Sequence, residues 1–278
     1  MDMARANPGF EIVSVDAMCV YREMDIGTAK PTMADRAEAP HHLVDIVDPS
    51  DDYTLARFQS DCATAVRDIE ARGRRALLVG GTGLYVRAAV DGLSVPPQFP
   101  EVRAALEAEP DTAALFARLD ALDPPAAAKM LPTNRRRIVR ALEVCVGSGR
   151  PFSSYGPGLD KYAPTPFRLI GLWPGRAGLM ARLDRRFHSM VDAGFVDEVR
   201  ALSERQDGVS RTARQALGYR QIFDHVEDRR PLDECIDEAI AATVRFARRQ
   251  RVWFRRDPRI AWVSADIDLS VVAGGQHW

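Results

Sequence analysis

Asp16 ends a short apolar run, Glu11-Ile12-Val13-Ser14-Val15-Asp16, and a second run, Ala76-Leu77-Leu78-Val79, passes directly into Gly80-Gly81-Thr82-Gly83. Both runs read as buried strands of a parallel sheet. In open α/β sheets, ligands collect at the carboxyl ends of the strands. A carboxylate at that position is compatible with a general base, a metal ligand or a cap for the residues that follow. The glycines permit close backbone approach, and the helix expected over residues 84–90 would present its positive end to an anion. Thr82 adds a hydroxyl. A plain tight turn capped by Thr82 is the competing reading. No G-x-x-x-x-G-K-[ST] loop occurs in the chain.

Other segments carry charge in patterns that suit anions. Met24-Asp25-Ile26-Gly27-Thr28-Ala29-Lys30-Pro31 looks like a phosphate loop, but Pro31 has no N–H to offer. It is expected as a loop beside the site, with Lys30 touching phosphate. Asn134 opens a helix in which Ile138, Leu142 and Cys145 face inward and Arg136, Arg137 and Arg140 share another side. Such an arginine face fits an RNA backbone or a salt-bridged surface. Arg182 and Arg186 lie one helical turn apart and can reach one anionic ligand. Tyr219 follows a basic turn containing Arg211 and Arg214, and fits either stacking on a base or core packing.

The elements that must position these groups alternate as strand and helix. Strands are expected over 11–16, 42–47, 76–81 and 167–173, with a weaker one at 260–263. Leu55, Phe58, Cys62, Ala65, Val66 and Ile69 recur at helical spacing over 54–72, and Gly73 closes that helix. This is a βαβ crossover, so the fold class is α/β, a parallel sheet with flanking helices. Residues 98–160 lack strands and read as a helical insertion, leaving 1–97 and 161–278 as the α/β core. A helix beginning near Pro231 carries Asp233, Glu234, Asp237 and Glu238 early. Arg245, Arg248, Arg249, Arg251, Arg255 and Arg256 follow late, an order that suits the helix dipole.

Composition narrows the class. The chain has 278 residues, 46% of them hydrophobic, enough for a large core. No run of ~18 apolar residues is present to span a membrane, and no apolar signal core opens the chain. Cys19, Cys62, Cys145 and Cys235 are scattered, as small core residues of a cytoplasmic protein would be. The five histidines lack metal spacing, and His41 and His42 would point to opposite faces of a strand. Net charge is −1, yet Lys30, Lys129 and Lys161 are the only lysines among 38 basic residues. Arginine forks that hold phosphate are one explanation of that bias.

Taken together, the segments resemble the tRNA dimethylallyltransferase (tRNA isopentenyltransferase) family. The resemblance rests on Ile12-Val13-Ser14-Val15-Asp16, Val20-Tyr21-Arg22, Met24 through Pro31, Pro40-His41-His42-Leu43-Val44-Asp45-Ile46, Val79 through Tyr85, Arg136 through Val144, and Gly218-Tyr219-Arg220-Gln221. It implies a P-loop-type core with a helical insertion that binds tRNA. The implied reaction moves a dimethylallyl group from dimethylallyl diphosphate to N6 of an adenosine adjacent to the anticodon, with Mg2+. By the same resemblance Asp16 is the general base and Thr82 lines the reaction channel. Gly81, Thr82, Lys30, Arg182 and Arg186 are expected at the diphosphate. Asp16, Ala17, Met18, Cys19, Arg103, Arg136, Arg137, Arg140, Arg214, Gly218, Tyr219 and Arg220 are expected at the tRNA anticodon stem-loop. A cytoplasmic monomer is expected.

The chain departs from the family pattern in two ways. Only Met1 to Phe10 precede Glu11, so the first strand and the P-loop are expected to be missing and prenyl transfer by this chain to be slow. Many relatives carry Ser, Gln and Gly where this chain has Ala17, Cys19 and Glu23, and Glu23 would set a negative charge near an anionic substrate. A noncatalytic tRNA-binding remnant and a prenyltransferase acting on free adenine nucleotides are the alternative readings. A nucleotide kinase is a third, on fold analogy alone.

Overall fold

The computed structural model describes residues 1–156, 158–173 and 178–264. The chain forms two compact units, Met1–Asp91 with Pro164–Trp278, and Gly92–Ala163.

In the first unit, α1 (Asp2–Ala6) leads into β1 (Phe10–Ser14), which is buried along its whole length. Ala4 and Ile12 share a small apolar cluster with Ala39, backed by Leu77. α2 (Met33–Glu38) starts on a capping box, in which Thr32 accepts from Asp35 N–H and Asp35 accepts from Thr32 N–H. β2 (His41–His42) follows. α3 (Leu55–Ala71) begins at the Thr54 cap and buries Phe58, Cys62, Ala65 and Ile69, a stripe at spacings of four and three. Gly73, at φ 69°, turns the chain into β3 (Arg75–Val79). The sheet order is β2-β1-β3, all parallel, with Ile12 opposite Leu77 and Ser14 opposite Val79. α4 (Gly83–Asp91) runs back from β3.

The strand expected over 42–47 shrinks to two residues. Leu43 and Asp45 adopt left-handed φ angles of 61° and 57°. Their neighbourhood spends its backbone groups elsewhere: Asp45 N–H donates to Cys19 O, and Ile46 and Val47 N–H donate to Val20 O. Asp45 is drawn away by its carboxylate, which Lys30 and Arg36 each hold at 2.6 Å. A pair of side-chain ion pairs therefore overrides the apolar periodicity of that segment.

The second unit is helical. α5 (Pro100–Ala108), α6 (Thr112–Leu122), the short α7 (Pro124–Ala127) and α8 (Arg135–Ser148) enclose a core of Leu106, Leu115, Leu119, Ile138, Leu142 and Cys145. Buried Asp123 caps α7 and accepts the N–H and hydroxyl of Ser153. α8 ends on Gly149 in the left-handed region, the usual helix stop.

The chain then returns to the first unit through β4 (Leu169–Trp173), followed by α9 (Leu179–Asp192), α10 (Phe195–Ser203), the short α11 (Arg211–Arg214), α12 (Tyr219–Val226) and α13 (Leu232–Phe254). β5 (Ile260–Ser264) pairs with β4 in parallel. The strands expected in one sheet thus fall into two, β2-β1-β3 and β4-β5. Among the described residues β3 and β4 are edge strands, and apolar Val79 and Leu172 remain 50% and 45% exposed on them. α13 stops at Phe254, so Arg255 and Arg256 lie beyond the helix that was expected to hold them.

The far end of α4 is locked to the start of β5 by charge. Asp91 accepts from Arg87 on its own helix and from Arg259 at 2.6 Å, and Arg259 also holds Asp257 at 2.7 Å. All four side chains are nearly buried. Removing one member strands the others, so Asp91→Ala is expected to cost about 3–5 kcal/mol of unfolding free energy, read by urea denaturation. Two carboxylates make part of the stability depend on pH. Ser50 N–H and hydroxyl, helped by Arg205, lower Asp48 from 3.8 to about 2. Arg230, with Gln221 and Arg220, lowers Glu238 from 4.5 to about 2. Both carboxylates bind protons more readily unfolded, so their stabilisation is complete above pH 4.5 and lost toward pH 2. Replacing Asp48 and Glu238 by Asn and Gln should flatten that part of the stability curve.

Candidate active site

The carboxyl ends of β1 and β3 meet backbone to backbone. Val15 N–H donates to Val79 O at 2.7 Å. A Cβ on Gly80 would fall 2.1 Å from Val15 O, so only glycine fits there. Just beyond, Asp16 folds its half-buried carboxylate back: Oδ1 accepts Met18 N–H at 2.7 Å and Cys19 N–H at 3.3 Å. This is an Asx turn, which fixes the side chain without using Oδ2. Ala17 N–H donates to Thr82 Oγ1 at 3.4 Å and stitches the two turns together. Asp16 and Thr82 therefore sit side by side, as the sequence expected.

The glycine turn is held from its other side. Gln250 of α13 donates to Gly81 O at 2.9 Å. The Trp253 ring lies against Gly83, where a Cβ would approach it to 2.4 Å. Thr82 O accepts Tyr85 and Val86 N–H as α4 begins. Among the described residues no acceptor meets the N–H groups of Gly81, Thr82, Gly83 and Leu84, so the start of α4 remains free for an anion. Chemically, the pair offers a proton acceptor, Asp16 Oδ2, beside a donor-rich turn.

The loop from Met24 to Lys30 differs from its expectation. Lys30 is buried, and its ammonium meets Tyr21 O at 2.6 Å, Asp45 at 2.6 Å and Asp25. An ammonium has three protons, so none is left for a diphosphate, and Lys30 is a strut. The anion at this loop is internal. Glu198 of α10 accepts Asp25 N–H at 3.0 Å, Ile26 N–H at 2.7 Å and Gly27 N–H at 3.3 Å. It also accepts the hydroxyl of Tyr219. Sequence reasoning missed Glu198, because an acid in the first turn of a helix reads as a dipole partner. Gly27 leaves room for two rings: a Cβ there would meet Phe195 at 2.2 Å and Tyr219 at 2.5 Å.

Glu23 does not point its charge at the site unopposed. Its backbone is left-handed at φ 63°, a conformation that glycine adopts without strain. Its carboxylate takes Arg205 at 2.6 Å on both oxygens, and Arg205 also pairs with Asp48 at 2.8 Å.

The residues expected at tRNA, and the two arginines of α9 expected at the diphosphate, divide into exposed and committed groups. Arg136 and Arg137 are exposed on α8, and Arg182 and Arg186 are exposed on α9. Arg103 pairs with Glu107 along α5 at 2.9 Å. Arg140 is turned back onto Pro96 O, Pro97 O and Glu143, so it anchors the entry to its own unit. Arg214 pairs with Glu227 at 2.6 Å and lies over the Phe223 ring, and Arg220 pairs with Glu238 at 2.9 Å. Tyr219 is fully buried, edge-on to Phe195 at 4.9 Å, and cannot stack on a base. Gly218, at φ 87°, is wedged against the Phe187 and Phe195 rings. Ala17 and Met18 remain half-buried at the turn. Cys19 is buried with its thiol toward Thr28 O, and burial together with the Asp16 charge pushes its pKa up to about 12. It stays a neutral thiol.

Comparison with known proteins bears on this arrangement. Residues 19–257 match the family model for IPP transferase. The tRNA dimethylallyltransferase of Kineococcus radiotolerans is 49% identical over 268 residues, spanning 95% of this chain and 84% of that protein. That of Streptomyces coelicolor is 47% identical over 262 residues, spanning 93% and 83%. Among solved structures, the full-length tRNA isopentenylpyrophosphate transferase of Bacillus halodurans superposes with a TM-score of 0.68 at 36% identity, covering 98% of this chain and 86% of that one. A eukaryotic dimethylallyltransferase acting on tRNA superposes with a TM-score of 0.75 at 26% identity, covering 95% and 69%.

Gly27→Ala tests how tightly the loop is seated. The methyl collides with two packed rings, and a destabilisation of about 1–3 kcal/mol is expected in urea unfolding. No loss would mean that the rings move aside freely.

Proposed function

Because the chain belongs to the IPP transferase family, we infer that it transfers a dimethylallyl group from dimethylallyl diphosphate to N6 of the adenosine beside a tRNA anticodon. The observation that supports this chemistry most directly is the Ala17–Thr82 hydrogen bond, which holds the Asp16 carboxylate next to the donor-rich turn.

The reaction poses two physical problems. An exocyclic amine is a weak nucleophile, and the leaving diphosphate accumulates charge. As the N6–carbon bond forms and the carbon–oxygen bond to diphosphate breaks, Asp16 Oδ2 accepts the amine proton. The free N–H groups at the start of α4 and the Thr82 hydroxyl are aimed where the departing oxygens gather charge. Oδ1 is occupied by the turn that positions it, so a single oxygen of Asp16 faces the reaction. An unpaired loop lets the target base leave its stack at low cost.

Mg2+ is proposed to travel with the diphosphate. It keeps several waters and needs few protein ligands, and the described residues contain no cluster of three acidic, His or Cys side chains that would cage it. The pair Asp16 and Thr82 does not amount to such a cage. The exposed Arg136 and Arg137 are proposed to meet the anticodon stem, and Arg182 and Arg186 the diphosphate or nearby phosphates. No helix among the described residues is long and apolar enough to cross a membrane. A cytoplasmic monomer fits a tRNA substrate.

Asp16→Asn tests the reading. Single-turnover transfer of a labelled prenyl group to anticodon stem-loop RNA registers even slow chemistry. The rate is expected to fall at least about 100-fold, while stem-loop affinity is unchanged. Parallel loss of affinity would make Asp16 structural, and equal transfer to AMP would favour a free-nucleotide acceptor.

A further inference from the structure

We propose that Glu198 is a positioning residue whose carboxylate acts as a built-in anion, filling the N–H nest of Asp25, Ile26 and Gly27 and thereby setting the Asp16 carboxylate. The role in transfer rests on Asp16 being the base; the nest itself does not.

Three successive backbone N–H groups that converge on one point form an anion-binding concavity. Such nests usually hold phosphate or another external anion. Here the occupant arrives from α10, more than 170 residues along the chain, and takes all three donors. The Tyr219 hydroxyl supplies a fourth. Burial and the adjacent Glu198 charge push the Tyr219 pKa upward, so the phenol remains a donor. Four donors on one carboxylate, three of them within 3.0 Å, make a strong charge-assisted clamp.

The clamp reaches Asp16 through the loop. Lys30, at the loop's end, holds Tyr21 O, and Thr28 O accepts the Cys19 thiol. Cys19 N–H in turn donates to Asp16 Oδ1. The strand-end turn from Asp16 to Tyr21 is therefore seated on the loop that Glu198 closes. A displacement of about 1 Å at a reacting group can cost 10²-fold in rate, so the clamp matters for chemistry and not only for folding.

Glu198→Ala empties the nest, and formate is a carboxylate small enough to refill it. With 15N-labelled protein, formate is expected to shift the Asp25, Ile26 and Gly27 amides of Glu198→Ala and to leave those of the unsubstituted chain unmoved. Chloride at equal ionic strength should not reproduce the effect. Single-turnover transfer by Glu198→Ala is expected to fall about 10–100-fold at unchanged stem-loop affinity, and formate should restore part of it. Amides indifferent to formate would overturn the nest. A rate that does not fall would overturn the positioning role. Should Glu198→Ala not fold, Glu198→Gln carries the test: its amide keeps the nest full, so the rate should fall modestly and formate should not restore it. Rescue of Glu198→Gln by formate, or a rate equal to the unsubstituted chain, would sink the proposal. If Asp16→Asn transfers normally while formate still fills the emptied nest, the functional reading fails and the nest survives.

Discussion

One contact governs the architecture: the backbone of Gly80 lies against the carbonyl of Val15, where no side chain can intervene. β1 and β3 emerge from the sheet in a fixed register, Ser14 beside Val79, and the chain must then diverge into two turns that touch. A slip of one residue would turn the side chains of the slipped strand to the opposite face. It would bury Asp16 or carry it away from Thr82. The chemistry of the site is a consequence of sheet pairing and of one missing Cβ, before any catalytic side chain is considered.

Around that contact the protein uses charge mainly as a fastener. Arg205 ties Glu23 and Asp48, Arg87 and Arg259 share Asp91, and Arg214 is paired with Glu227 and laid over Phe223. Arginine suits this work because its planar fork can serve two carboxylates or lie flat on a ring while remaining charged. The arginine bias of the sequence therefore has two sources, internal ties and exposed faces such as Arg136 with Arg137. Position separates them. Glu23 shows how far a tie can go, since its pairing with Arg205 compensates a left-handed backbone that glycine would adopt freely.

The parts of the fold governed by local rules were legible in the sequence. The α3 stripe, its Gly73 stop, the buried β1 run and the glycine turn after β3 all follow from periodicity and backbone freedom. So does the adjacency of Asp16 and Thr82, which parallel pairing enforces. Groups whose partners are remote were not legible. The 42–47 segment has the composition of a strand, but Lys30 and Arg36 pull Asp45 out of line. Lys30 looked available for phosphate because nothing nearby in sequence marks Asp45 as its partner. Glu198 was overlooked, and Tyr219 was left between base stacking and core packing, for the same reason, since each completes a loop more than 170 residues away.

Burial of Lys30 has a practical side. Amine-directed reagents find only two exposed lysine side chains, Lys129 and Lys161, and both belong to the helical unit Gly92–Ala163. A fluorophore coupled through lysine would therefore mark the inserted helices and leave the lysine of the α/β unit untouched, giving a ready-made reporter of that unit's behaviour when RNA is added.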